Sequence, residues 1–199
     1  MQNINRDLMF AADQLFSLHD RWTGYWHLAT PEITDGGMVG LVQRNHLHNF
    51  SLWHEEDIAR RDDLGMERIV LAKRSIDSHN QLRNDCVERM DLALMDELPP
   101  LVATAPLHSE TPGMIIDRLS ILSLKLYHMG EEAGRPTAED AHRRSCAEKA
   151  AILKCQRMDL AGCLDALLLD LSSGRRRFAL YRQFKMYNDP AFRSGKTGD

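Results

Sequence analysis

Apolar residues recur at three- and four-residue spacing along most of this 199-residue chain, and a few clusters of proline and glycine interrupt them. A helix turns about 100° per residue, so that spacing gathers apolar side chains into one stripe, whereas strands need strict alternation, which the chain lacks. The expectation is an all-α, single-domain bundle of five to six helices over residues 1–192, with a flexible tail over 193–199. The first helix runs from about Asn3 through Leu18 into the aromatic stretch Trp22 to Trp26, and Thr30-Pro31 to Gly36-Gly37 breaks it. A second spans about Met38 to Arg60 and a third about Glu67 to Glu97. Pro99-Pro100, Pro106 and Pro112 mark one long connection in the middle of the chain. Thr111 as N-cap and Pro112 at the first helical position start a fourth helix, to about Met129. Thr137 and Asp140 resemble a capping box opening a fifth helix that Ser172-Ser173-Gly174 stops near Leu171. The basic segment Arg175 to Tyr187 reads as a short sixth helix, with Tyr181, Phe184 and Tyr187 on its docking side.

Composition narrows the class. Hydrophobic residues make up 43% and charged residues 27%, as in ordinary globular proteins. The net charge of -4 gives no general attraction to nucleic acid, so no nucleic-acid partner is expected. Charges interrupt the greasiest stretches, which argues against a membrane span, and the first twenty residues show no signal peptide, so the expected location is cytoplasmic. Cys86, Cys146, Cys155 and Cys163 form no Cys-x-x-Cys pair and read as reduced thiols, most of them small core residues.

The more informative feature is polarity where a core stripe should run. On helix three, Arg83 falls inside the stripe of Ile69, Ala72, Ile76, Val87, Met90 and Leu94, Asn80 lies on its edge, and Lys73, Asp77, Asn84 and Asp91 flank it. On helix two, Asn45 and Glu56 share a face with Leu41, Leu52 and Ala59, with Asn49, Trp53 and Arg60 at its margin. On helix five, Gln156 and Asp159 sit among Ile152, Cys163, Ala166 and Leu167. A buried polar group without a partner costs roughly 1–3 kcal/mol, so these groups bond one another, water or a ligand. Two readings stay open: an interhelical network that fixes helix register, or a polar pocket within the bundle.

At these residues the sequence resembles a known family. The stretch Asn49 to Arg60 (NFSLWHEEDIAR), followed by Lys73 to Asp77 and Asn80 to Asp85, is similar to the bacterial domain-of-unknown-function family 4254. The likeness continues through Ser109 to Gly113, Asp117 to Leu122 and Tyr181 to Pro190. The family continues past that proline with a further Asn-Pro, which Phe192-Arg193-Ser194 replaces here. The resemblance implies a helical protein without an established activity, encoded among glycosyltransferase and surface-polysaccharide genes. It thereby points to glycan biosynthesis without assigning a chemistry.

The chain has no glycine-rich phosphate loop, dinucleotide fingerprint or nucleophile elbow. The leading expectation is a pocket that binds or processes a sugar or nucleotide-sugar. Its acid or base candidates are Glu56, Asp57 and Asp77, with Glu88 behind them, and its ligand-binding candidates are Asn49, Trp53, Arg60, Lys73, Asn80, Arg83, Asn84, Gln156 and Asp159. The alternative is a non-catalytic accessory subunit that binds a glycosyltransferase. A third reading is a metal-dependent enzyme, prompted by His46, His48 and His54 near Glu55 and by the Glu-x-x-His spacing of Glu139 and His142. The zincin spacing is absent, helix phase turns His54 from the polar face, and no residue is assigned as a metal ligand. Arg175 to Arg177, Arg182, Lys185, Arg193 and Lys196 concentrate positive charge near the end of the chain. Cofactor, substrate and oligomeric state are not legible at this level.

Overall fold

The computed structural model describes residues 12–182. Five helices follow in order: α1 (Ala12–Trp26), α2 (Gly37–Ala59), α3 (Met66–Glu97), α4 (Pro112–Gly134) and α5 (Asp140–Ser172). The short turns after α2 and α4 fold the chain into two antiparallel hairpins, α2 on α3 and α4 on α5. Contacts run in opposite chain directions across each hairpin: His48 meets His79 and Glu55 meets Arg68 in the first, and Ser123 meets Arg157 and Glu132 meets His142 in the second. α1 packs on α2, α4 and α5. α4 touches all four other helices and supplies Ile115, Ile116, Leu119 and Leu124 to the core, where Leu15, Val42, Met90, Leu164 and Leu171 meet them.

Local chemistry explains the boundaries. Thr111 caps α4, its hydroxyl accepting from Met114 N at 3.2 Å, and Pro112 supplies the preset φ of the first turn. α5 ends in a Schellman motif: Arg175 N donates to Asp170 O at 2.8 Å and Gly174 N to Leu171 O at 3.1 Å, which needs the left-handed φ of 69° at Gly174. Other boundaries differ from the sequence reading. The expected start at Asn3 lies outside the described residues. α4 runs on through Gly130 to Gly134, because the exposed glycine only weakens a helix whose neighbours on either side favour it. The Thr137–Asp140 capping box does not form; α5 starts at Asp140 behind Glu139, which makes no side-chain cap.

The sixth helix is also corrected over the residues in view. Arg175 to Arg182 is not helical; it returns along the long connection, where His108 N donates to Arg177 O (2.8 Å) and Arg177 N to Pro106 O (3.1 Å). Backbone pairing and the Arg177 Nε bond to Ala105 O (3.0 Å) satisfy groups that a further helix turn would have used internally. Phe178 is buried there, whereas Tyr181 is exposed; Phe184 and Tyr187 lie outside the described residues. Among the described residues no helix is long and apolar enough to cross a membrane.

The α3–α4 crossing is tied by Asp91, a buried carboxylate that accepts from Gly113 N at 2.7 Å, at the electropositive start of α4. A Cβ at Gly113 would sit 2.7 Å from Val87 O and 2.8 Å from Asp91 Oδ1, and the first of these is backbone that cannot swing aside. Gly113→Ala should therefore cost about 1–3 kcal/mol through forced separation of α3 and α4. Equilibrium urea unfolding checks this, with a change under about 0.5 kcal/mol counting against the close approach.

Candidate functional site

Of the interior polar groups of α2, Gln43 ties down the preceding segment by accepting from Thr34 N and Asp35 N, and Asn45, His46 and Asn49 meet partners on α4 and α1. Asp117 Oδ1 accepts from Asn45 Nδ2 at 2.8 Å and from Asn49 Nδ2 at 2.9 Å, and its second oxygen stands 3.9 Å from Arg83 Nε of α3. The other Asn49 proton goes to Ser120 Oγ at 3.0 Å. Ser120 Oγ also contacts His46 Nδ1 at 2.8 Å, and His46 Nε2 lies 2.8 Å from Thr23 Oγ1. The Thr23 hydroxyl spends its one proton on His19 O at 2.8 Å, so it must accept from His46 Nε2–H. His46 is then the Nε2–H tautomer and Ser120 donates to its Nδ1. Asn49, Ser120, His46, Thr23 and the His19 carbonyl form one directional chain through a fully buried region. Burial, above all, lowers His46 to a pKa of about 3, and His19, stacked on it at 4.5 Å, is also held well below its ordinary value, first by burial and then by His46 and Arg157.

At the edge of this network a cavity of about 300 Å³ opens between α2, α3 and α4, lined by Asn49, Leu52, Trp53, Glu56, Asp57, Arg60, Arg83, Ile121 and Leu124. Glu56 pairs with Arg60 at 3.0 Å and Asp57 with the same guanidinium at 3.7 Å, all at the solvent-facing mouth. Arg83 is deeper: its Nε is buried and has no hydrogen-bond partner among the described residues. Trp53 also lines a second hollow of about 470 Å³, mostly apolar, with Lys125, His128, Met129, Glu132, Lys149, Ile152, Leu153 and Gln156. The Trp53 ring stacks on His128 at 4.6 Å and 7°.

Six of the twelve sequence candidates, Asn49, Trp53, Glu56, Asp57, Arg60 and Arg83, therefore surround one cavity. The others do not. Lys73 and Asp77 are exposed and Asn80 and Asn84 half-buried, none of them lining this cavity, because α4 meets α3 near Asp91 and Arg83 while α2 covers the earlier half. Glu88 pairs with Arg182 at 3.5 Å. Gln156 and Asp159 are exposed, which corrects their placement on the inner face. α5 buries Cys146, Ala161, Leu164, Leu167, Leu168 and Leu171 instead; its second apolar strip, with Ile152 58% exposed, misdirected the helix phase. Gln156 and Asp159 line a separate groove between α4 and α5. Cys155 and Cys163 are exposed on that helix too, so only two of the four cysteines are core.

Sequence reasoning missed two groups. Asp117 and Ser120 were legible: with Gly113 and Leu124 they fall on one face of α4 at three- and four-residue spacing. His27 and His128 were not, because they join His54 from three separate elements. His27, in the turn after α1, gives its Nδ1 proton to Thr23 O at 2.8 Å, and His128 Nδ1 bonds Glu131 Oε2 at 2.9 Å. His54 stands edge-on to both, with ring centroids 5.2 and 5.8 Å away. Burial, then neighbouring imidazoles, lower His54; burial also lowers His128, against the opposing pull of Glu131. The Glu-x-x-His pair is not used as such: His142 Nε2 meets Glu132 at 2.8 Å instead of Glu139.

A family model described as protein of unknown function (DUF4254) matches residues 39–180. No curated protein and no solved structure matches the chain.

The buried network predicts a pH dependence with a definite sign. His46 is depressed in the folded state, so its contribution is complete above the unfolded value of 6.5 and is lost as pH falls toward about 3. Between pH 6.5 and 5 this amounts to about 2 kcal/mol, with His19 acting in the same direction. Thermal melts across that range check it; a flat profile would mean the imidazoles accept protons in place.

Proposed function

The chain belongs to the DUF4254 family, whose description carries no activity, and from the site itself we propose that it binds a sugar or nucleotide-sugar in the cavity beside Trp53. The observation that carries this reading is Arg83: a guanidinium whose buried Nε makes no hydrogen bond, only a 3.9 Å ion pair with Asp117, stands on the wall of a cavity and favours an anionic or hydroxyl-rich ligand over an apolar one. Trp53 offers an apolar ring surface suited to a sugar or base, and Glu56 and Asp57 at the mouth accept from hydroxyls. Arg60 and Arg83 are the groups suited to phosphate, through charge-assisted bonds. If the ligand is processed as well as bound, Asp57 and Glu56 are the acid or base candidates within reach of the cavity; Asp77, exposed on α3, is not. A role in surface-polysaccharide or glycoconjugate biosynthesis is the setting that this ligand class and the family resemblance suggest together.

A second reading has its own support. Met158 and Leu169, on one outer side of α5, are each more than half exposed, a surface suited to an accessory subunit that docks on a glycosyltransferase.

Calorimetric titration with a panel of nucleotide-sugars and sugar phosphates separates the two. The cavity reading expects saturable binding that Arg83→Met and Trp53→Ala each weaken tenfold or more, about 1.4 kcal/mol, while Lys73→Met and Asp77→Asn leave it unchanged. Absence of saturable binding to every compound, or equal loss in the Lys73 and Asp77 variants, contradicts it.

A further inference from the structure

We propose that His27, His54 and His128 form a binding site for a divalent first-row transition ion, zinc by preference, independent of whether the neighbouring cavity takes a sugar. One ring nitrogen from each lies within 4.8 Å of the other two. A tetrahedral zinc ion, with Zn–N bonds of about 2.0–2.1 Å, sets its ligand nitrogens roughly 3.4 Å apart, so side-chain rotations of about an ångström close the site.

Two of the three tautomers are already set for it. A backbone carbonyl only accepts, so the bond from His27 Nδ1 to Thr23 O fixes the proton on Nδ1 and leaves Nε2 as a lone pair. Glu131 does the same for His128 through Nδ1. Both Nε2 atoms are buried and have no hydrogen-bond partner among the described residues. A carbonyl and a carboxylate holding the far nitrogens are the supports that metal-bound histidines use to fix ring orientation and raise basicity. A cation shared by the three rings would take up the Nε2 lone pairs of His27 and His128, with His54 supplying the third nitrogen.

Three imidazole donors suit zinc, copper or nickel and not magnesium or calcium, which take oxygen ligands. Three protein ligands also leave a fourth position open, the arrangement of a catalytic zinc, whereas structural sites are closed by four. Asp57, one turn beyond His54, acts electrostatically on both His54 and His128 and lines the 300 Å³ cavity. Trp53, stacked on His128, lines that cavity too, so the proposed ion site and the cavity share a wall.

The test is calorimetric titration of Zn²⁺ into the chelator-treated full chain, with Co²⁺ as a spectroscopic probe. The expected result is one ion per chain and the intense visible bands of four-coordinate cobalt. His54→Gln and His128→Gln should each lower affinity roughly 100-fold or more and abolish the bands, and Glu131→Gln roughly 10–100-fold. His79→Gln and His142→Gln, at the other histidine contacts, should leave both readouts unchanged. Circular dichroism monitors folding, and if a ligand variant unfolds, the solvent-facing Glu131→Gln decides alone. Stoichiometry well below one, binding that survives His54→Gln and His128→Gln, or binding lost in His79→Gln overturns the proposal. Failure of the nucleotide-sugar titration has no bearing on it.

Discussion

One carboxylate organises the interior of this bundle. Asp117 collects a proton from each of two α2 amides and faces the Arg83 guanidinium of α3, so three helices are registered through a single side chain. A desolvated carboxylate is costly on its own, and here two amide donors and one cation offset that cost. The Asn49 amide then carries the order onward through Ser120, His46 and Thr23 into α1, with every hydrogen of the chain assigned to one acceptor. A purely apolar seam would let α2 slide or rotate by a turn; this chain has one arrangement that satisfies it.

That division of labour decides which polar residues are free to do something else. Asn45 is consumed by Asp117, and His46 and Ser120 by each other together with Thr23 and Asn49. At the margin, where α3 diverges from α4, Arg83 has a buried Nε left over and Trp53, Glu56 and Asp57 border open space. The polar row on α2 is thus bonded within the bundle at its buried end and borders a cavity at its solvent-facing end. The buried network and the cavity wall occupy successive turns of one helix.

Much of this was legible beforehand, for reasons that also explain the failures. The Pro and Gly breaks gave four of the five described helices to within a few residues at the ends in view, because φ restriction and missing N–H groups act locally. Part of the α2 face was readable because Leu41, Asn45, Asn49 and Leu52 recur at three- and four-residue spacing, and all four are buried. On α3 the phase was right at Arg83, but which turns α4 covers is a tertiary fact, and Lys73 and Asp77 fell on the uncovered side. α5 carries two apolar strips, so hydrophobicity did not choose the buried one, and Gln156 and Asp159 were assigned inward. The histidine triad joins positions 27, 54 and 128 and had no local signature at all. The basic stretch after Gly174 has helical composition, yet its backbone pairs with the Pro106–His108 connection instead.

The account rests on Asp117 as the shared acceptor, and equilibrium unfolding of Asp117→Ala is its most direct test. Removing it leaves the Asn45 and Asn49 amides short of an acceptor and Arg83 without its counter-charge, so a loss of about 3–5 kcal/mol is expected. A loss under about 1 kcal/mol would contradict the account, because the helices would then be held by apolar packing alone.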